Sequence, residues 1–375
     1  MKPVRVVHFC TVHNWNDVRV FQKQCVSLAK AGYDVHLVVP GAPHTTSQGV
    51  HLHTIKFSSN RIARMTRTAW HAFRIACQLR ADIYEIHSPE LLPEALILSL
   101  LGKPVVYDVH EDFTTLIRQK DYLPAFARVL FAHGVRFLEK VSSRFMTITL
   151  AEKYYADFLP GHPLLLNYPF DFGFTTLPRR DGPNCRVLLY AGNVGVERGA
   201  LLHPSLLSLD REIEVHLVGH CPSALAARAR DAAALAVDRL HIDAVDQFLP
   251  HARIQEYYQR DDLLAGLAVF PSTPDVVNKE LTKFFEYMAA GLPILCSDFP
   301  AWRRLVVDNG VGLAVNPQSP PAIAEAIAWL REHPHERQQM GERGRRLVAE
   351  QFNWASQEKI LLGIYAELAA RLKRH

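Results

Sequence analysis

Long apolar runs are missing from this chain. No window reaches the roughly 18 uninterrupted apolar residues of a membrane-crossing helix, and the most apolar segment, Leu91 to Leu101, is broken by Glu94. A membrane-spanning protein is therefore not expected. Cysteine is sparse: Cys10, Cys25, Cys77, Cys185, Cys221 and Cys296 are the six in 375 residues, and none forms a C-x-x-C spacing. Dithiol redox centres, zinc ribbons and disulfide scaffolds are set aside, and the thiols read as reduced packing residues of a cytoplasmic protein. The opening residues, MKPVRVVHFC, lack the apolar core and small-residue cleavage site of a secretory leader and read as a first strand. G-x-G-x-x-G, the Walker P-loop, G-x-S-x-G and H-E-x-x-H are all absent. Hydride transfer to a bound dinucleotide, P-loop hydrolysis, elbow-type acyl transfer and zinc proteolysis lose their usual signatures. The net charge of +4 is too small to imply nucleic-acid binding.

What is present is a folded α/β composition, 49% hydrophobic and 21% charged. At this length two domains are expected. Strand-length apolar runs alternate with amphipathic helical segments, which predicts doubly wound parallel sheets covered by helices. Strands are expected at 4–10, 34–39, 51–55, 83–87, 105–108 and 145–149, with a helix over 18–31 ended by Gly32. The Pro- and Gly-bearing stretch NYPFDFGFTTLPRRDGPN, 167–184, reads as a linker. Strands resume at 186–190, 214–218, 264–270 and 294–296. Domain boundaries follow: 1–168, a linker over 169–184, 185–352, and a closing segment over 353–375.

The segment NKELTKFFEYMAAGLP, 278–293, carries the densest chemistry. Lys283 and Glu286 are three apart, so both project from one helical face, and Gly291 can close the helix in the left-handed conformation. Such a helix can aim its amino end and Lys283 at a diphosphate while Glu286 accepts hydrogen bonds from sugar hydroxyls. A core helix with a salt-bridged Lys and Glu gives the same spacing. After the predicted strand RVLLYA comes GNVGVERG, 192–199, where Gly192 and Gly195 let backbone amides approach a phosphate and Arg198 adds a cation. Two cations from separate loops would neutralise a diphosphate leaving group without a metal. In the first half, three strand-end loops are polar: His13, Asn14, Asp17 and Arg19 in one, His87 and Glu90 in another, and Asp108, His110 and Glu111 in the third, an acid–base candidate set. The close pairs His51/His53 and His333/His335 are explained by alternate strand positions and a proline-bearing turn, without metal.

These residues resemble the bacterial glycosyltransferases of the group 1, or family 4, type with the GT-B fold, over nearly the whole chain. FEYMAAGLPIL at 285–295 matches the end of that family's E-x7-E element. The resemblance makes Glu286 the ribose-binding carboxylate and puts Asn278 where the first glutamate stands. GNVGVERG aligns with the family's G-R-x-x-x-x-K-G diphosphate loop, so Arg198 replaces its lysine and Asn193 its arginine, while Lys283 resembles the lysine of a K-x-F-E-Y-M-A variant and restores the charge. His13, Asp17 and Arg19, then His87, Pro89 and Glu90, then YDVHE resemble a subgroup's first domain. His110 would thereby face the donor sugar, with His13, Asp17, Arg19, His87 and Glu90 on the acceptor side. FNWASQEKILLGIYAEL, 352–368, resembles the helix that crosses back onto the first domain.

The resemblance implies two Rossmann-like domains facing across a cleft and a retaining, metal-independent transfer from a nucleotide diphosphate sugar, UDP in preference to GDP, to a growing bacterial surface glycan. Arg198, Lys283 and His110 are the expected catalytic groups. Gly192, Asn193, Gly195, Asn278 and Glu286 join the cations in donor binding. The nucleotide sugar is a co-substrate, so no cofactor and no metal is expected. A nucleotide-sugar epimerase of the same fold and a catalytically silent partner in glycan assembly are the alternatives. Two basic clusters with interleaved apolar residues, Arg61, Arg64, Arg67, Arg74 and Arg80, then Arg118, Lys120, Arg128, Arg136 and Lys140, suit peripheral contact with an anionic membrane and a lipid-linked glycan acceptor. Ordinary surface helices account for the same clusters.

Overall fold

Every residue of Val105–Val109, Val187–Ala191 and Leu263–Ala268 is buried, the pattern of parallel strands covered on both faces. The computed structural model describes residues 2–120, 122–171, 173–174, 178–274 and 276–372. Parts of the expected linker (172, 175–177) and of the closing helix (373–375) lie outside the described residues. The described chain divides into two compact units, Met1–Asn167 with Trp354–His375, and Tyr168–Asn353.

The first unit holds β1 (Arg5–Phe9), β2 (Asp34–Pro40), β3 (Thr46–Ser47), β4 (Val50–Ile55), β5 (Ile83–Ile86), β6 (Val105–Val109) and β7 (Thr147–Leu150). The second holds β8 (Val187–Ala191), β9 (Glu214–Cys221), β10 (Leu240–Val245), β11 (Leu263–Ala268), β12 (Ile294–Ser297) and β13 (Gly312–Val315). Their orders are β3-β4-β2-β1-β5-β6-β7 and β10-β9-β8-β11-β12-β13. Apart from β3, which is antiparallel to β4, each sheet runs third, second, first, fourth, fifth, sixth. That order reverses beside its first strand, and ligands of such sheets bind at the carboxyl ends there. The loops after β1 and β5, and after β8 and β11, occupy those positions.

Sequence reading missed β3, β10 and β13. The first has two residues; LHIDAV is partly exposed and interrupted by His241 and Asp243, and GLAV, though apolar, is only four residues long and partly exposed at its centre. The helix expected over 18–31 begins as a wide π-type turn at Val18–Cys25 and continues as α-helix to Lys30. The helix Trp354–Leu372 buries Trp354, Leu361, Tyr365 and Leu368 in the first unit's core with Val6, Val35 and Leu37. Its Trp354 Nε1 donates to Ser27 Oγ at 3.0 Å.

Arg180, in the stretch expected to link the domains, is buried in the second unit. Its guanidinium donates to the carbonyls of Tyr258, Ala290 and Arg260 at 2.5, 2.7 and 2.9 Å, binding the carboxyl ends of two helices, His251–Tyr258 and Thr282–Ala289, to one anchor. The second of these helices buries Phe284, Phe285, Tyr287 and Met288. Tyr287 lies flat on β11 because residue 266 is glycine: a Cβ there would stand 2.3 Å from Tyr287 Cγ. Gly291 closes the helix at φ +65°, leaving Lys283 and Glu286 on the face turned from the core.

Candidate functional site

In the second unit, β8 delivers the chain to Gly192, whose φ is +132°, and a Cβ added there would lie 3.2 Å from Lys283 Nζ. Absence of a side chain thus admits the lysine head to the loop. Nζ stands 4.5 Å from the Tyr190 ring centroid and 5.8 Å from that of Phe270, a cation over aromatic faces. Burial lowers its pKa to about 8; Glu286 opposes the drop and Arg198 adds to it. Tyr190 donates its hydroxyl to the Asn193 carbonyl at 2.6 Å, pinning the loop, and burial pushes that hydroxyl's pKa up. Beneath lies His203, whose Nε2–H donates to the Val269 carbonyl at 2.9 Å. Burial holds its pKa down at about 3, so it is a neutral packing group.

One helical turn beyond Lys283, Glu286 accepts a hydrogen bond from the Tyr258 hydroxyl, 2.8 Å from Oε2. Burial, reinforced by Glu286, keeps that hydroxyl protonated far above its ordinary range. Arg198 ends a short turn, Val196–Arg198, and stands 3.8 Å from Glu197 Oε1. The Glu197 carboxylate itself lies against Gly195. Asn193 and Asn278 are both exposed. Lys283 and Arg198 therefore form a cationic corner beside the loop, and Glu286 offers a braced carboxylate next to it; the Gly192 and Val194 amides are spent on the Val218 and His220 carbonyls at 2.8 and 2.9 Å. The sequence singled out every member of this corner except Tyr190, Tyr258, Phe270 and His203. Only Tyr258 had a signal, as the last residue of the polar-aromatic stretch FLPHARIQEYY.

In the first unit a buried polar network lies at the carboxyl ends of β1, β5 and β6. Arg19 Nε and NH2 donate to the Asp108 carboxylate at 2.8 and 2.6 Å, and NH2 also to the Leu165 carbonyl at 2.8 Å. Gln24 and Thr149 donate to the same carboxylate, each at 2.9 Å. Burial works to raise the Asp108 pKa, but Arg19 and His87 hold it well below the carboxylate range. His8 Nδ1 and His87 Nε2 are 3.0 Å apart, and His13 Nε2 and His110 Nε2 are 2.9 Å apart. The His110 Nδ1–H donates to the Asp108 main-chain carbonyl at 3.2 Å, so His110 Nε2 is the acceptor and His13 the donor. Burial lowers His13 to about 4 and His110 to about 3. His110 is therefore neutral at pH 7 and offers hydrogen bonding rather than a proton.

Four residues expected on the acceptor side are engaged within the fold instead. Arg19 is consumed by Asp108, and His87 is fully buried, so neither faces an acceptor. Asp17 caps its helix, Oδ1 accepting from the amides of Arg19 and Val20 at 2.9 and 2.8 Å. Glu90 accepts from the Thr11 hydroxyl and pairs with Arg64 at 3.3 Å. His13 and His110 remain partly exposed. Within the network, His8–Glu85–His87 and His87–Asp108–His110 are close enough to hold a metal ion. Their carboxylates are already engaged, Asp108 as above and Glu85 by the Tyr365 hydroxyl.

Residues 18–161 match the family described as Glycosyl transferase 4-like domain, and residues 207–347 match Glycosyl transferases group 1. No curated protein matches significantly by sequence. The chain is similar to sucrose-phosphate synthase from Thermosynechococcus elongatus, with 16% identity, a TM-score of 0.74, and coverage of 98% of this chain and 100% of that one. Anabaena HepE in complex with UDP gives 10% identity, a TM-score of 0.66, and coverage of 98% and 100%. WaaG, a glycosyltransferase involved in lipopolysaccharide biosynthesis, gives 14% identity, a TM-score of 0.66, and coverage of 95% and 98%.

Proposed function

The chain belongs to the group 1 glycosyltransferases of GT-B fold, and on that premise we propose that it transfers a sugar from a UDP-sugar to a glycan acceptor of the bacterial surface. The observation that carries the reading is Lys283, held over Tyr190 beside Gly192 and three residues ahead of Glu286. Among the described residues no carboxylate oxygen lies within 4.0 Å of its ammonium. An incoming diphosphate supplies the missing counter-charge. Lys283 and Arg198 then stabilise the negative charge that builds on the leaving UDP as the sugar–phosphate bond breaks. Glu286, braced by Tyr258, accepts the ribose hydroxyls. The family likeness assigns neutral His110 to the donor sugar and implies retention of anomeric configuration. UDP as donor nucleotide is supported by the UDP complex of Anabaena HepE, and a surface-glycan acceptor by the likeness to WaaG.

The acceptor is carried on a lipid in this reading. No helix among the described residues is long and apolar enough to cross a membrane, but the helix Ala125–Ser142 exposes Phe126, Leu130, Phe131 and Phe137. Arg61 stacks on Tyr122, 4.2 Å from its ring centroid, which joins the two basic segments on one surface. Exposed aromatics among arginines suit an anionic membrane face.

The test is direct. Purified protein is incubated with a panel of UDP- and GDP-sugars, with and without lipid-linked oligosaccharide, in EDTA. UDP release that requires acceptor supports the proposal. Release only with GDP donors, interconversion of the free UDP-sugars without acceptor, or a strict need for added Mg or Mn rejects it.

A further inference from the structure

At the amino ends of the strands, the other end of each sheet from the loops just described, the two units repeat one cluster. In the first, Asp34 opens β2, His36 follows two residues on, and His51 of β4 lies beside His36 in register. In the second, Glu214 opens β9, His216 follows two residues on, and His241 of β10 lies beside His216 in register. An arginine holds one carboxylate oxygen in each: Arg5 Nε to Asp34 Oδ2 at 2.7 Å, and Arg186 NH2 to Glu214 Oε1 at 3.0 Å. The other oxygen faces two imidazoles. His36 Nε2 and His51 Nε2 lie 3.2 and 3.6 Å from Asp34 Oδ1, and His216 Nε2 and His241 Nε2 lie 3.3 and 3.5 Å from Glu214 Oε2.

We propose that each sheet binds one zinc-class divalent ion at its amino end, through Asp34, His36 and His51 in the first unit and Glu214, His216 and His241 in the second. Ligands at 2.0–2.1 Å in a tetrahedron stand about 3.3–3.4 Å apart, and all four carboxylate–imidazole separations fall close to that spacing. Two imidazoles and one carboxylate favour zinc, nickel or copper over magnesium or calcium. Outer contacts already orient the first set. His51 Nδ1 lies 3.0 Å from Thr46 Oγ1 and His36 Nδ1 lies 2.9 Å from His53 Nε2, so both rings can present Nε2 as a lone pair. His36 is 8% exposed, and its Nε2 is buried without a hydrogen-bond partner. The side chains of His51 and His241 are 48% and 52% exposed, which gives the ion an entry path and leaves room for a water as fourth ligand. Each ion would bridge neighbouring strands, β2 to β4 and β9 to the edge strand β10.

Alternate strand positions accounted for His51 and His53 in the sequence. Strand pairing, which the sequence does not display, adds Asp34 and His36.

The full chain without an affinity tag, stripped with chelator, is titrated with zinc by calorimetry and with cobalt(II) by visible absorption. Two equivalents bind to the wild type, His51→Ala and His241→Ala each lose one, and the double variant loses both. His335→Ala, an exposed histidine outside both clusters, keeps two. Zinc raises the melting temperature of the wild type and not of the double variant, whose melting in EDTA matches the wild type and so reports an intact fold. Fewer than two equivalents in the wild type, or zinc retained by the double variant, overturns the proposal. UDP binding is unchanged by all three substitutions, so failure here is separable from failure of the transferase reading.

Discussion

The Tyr258 hydroxyl donates to Glu286 Oε2 at 2.8 Å, across 28 residues of sequence. Arg180 grips the main chain at the carboxyl ends of both helices that carry them. The carboxylate is thus oriented from its side chain and from its backbone before any ligand arrives, and preorganisation of this kind lowers the ordering cost of binding.

Glu286→Gln keeps the size of the side chain but replaces one accepting oxygen by a donor. Hydrogen bonds to charged groups contribute about 1.5–3 kcal/mol, so UDP is expected to bind about 10- to 100-fold more weakly, with little change in melting temperature. Tyr258→Phe removes the brace alone and is expected to cost less, about fivefold, for a contribution near 1 kcal/mol. Calorimetry with UDP beside thermal melts checks both. Unchanged affinity with a collapsed melting temperature would make this helix purely structural.

Lys283→Ala removes a charge-assisted contact to the leaving group and is expected to cut turnover about 100-fold or more, in the range of about 2.7–4 kcal/mol for one lost stabilising donor. The lysine is protonated below its pKa of about 8 and neutral above it. UDP affinity in the wild type is therefore expected to fall as pH rises through 8 and beyond, with bound diphosphate shifting the fall upward. The variant's profile stays flat over that window. A pH series of UDP dissociation constants distinguishes the two.

Arg19→Met leaves Asp108 charged and buried without its cation. Breaking a buried pair on one side costs about 3–5 kcal/mol, so chemical denaturation is expected to show severe destabilisation. A stable variant with only a raised acceptor KM would return Arg19 to the acceptor side.

Glu85 is fully buried beside His87 and Asp108, and burial raises its pKa from 4.5 to about 7. Its folded value lies above its unfolded one, so the wild type binds the extra proton when folded and loses stability as pH climbs from about 4.5 to 7. Glu85→Gln lacks that loss. Its stability relative to wild type is expected to improve from pH 5 to pH 8 by on the order of 2 kcal/mol, read from urea midpoints. A pH-independent difference would mean that the carboxyl does not titrate there.

Reversing Arg61, Arg67 and Arg128 to glutamate is expected to abolish co-sedimentation with anionic vesicles at low salt, since each basic residue near such a surface adds about 1 kcal/mol. Arg64 is left in place because it pairs with Glu90. High salt is expected to release the wild type, and neutral vesicles to retain none. Binding indifferent to charge and salt would leave Phe126, Leu130 and Phe131 as the source of adhesion, or the surface without a lipid role.

By itself the sequence determined whatever depends on near neighbours. Apolar runs marked the buried strands β1, β2, β5, β6, β8 and β11 because both faces of a parallel strand need apolar side chains. Helical period placed Lys283 and Glu286 on one face, and Gly291 marked the end of their helix. The short strands β3, β10 and β13 escaped because few of their residues face a core.

Tertiary structure alone decided which distant residues meet. Asp17, Arg19 and His87 stood in polar strand-end loops, and nothing local separated a cap, a buried ion pair and a buried ring from a ligand contact. Strand order brought Asp108 to Arg19, 89 positions away, and set His51 beside His36 and His241 beside His216. A side chain's periodicity reports which way it points relative to its own element. What it meets there depends on which element packs opposite, and that is fixed only when the whole sheet has assembled.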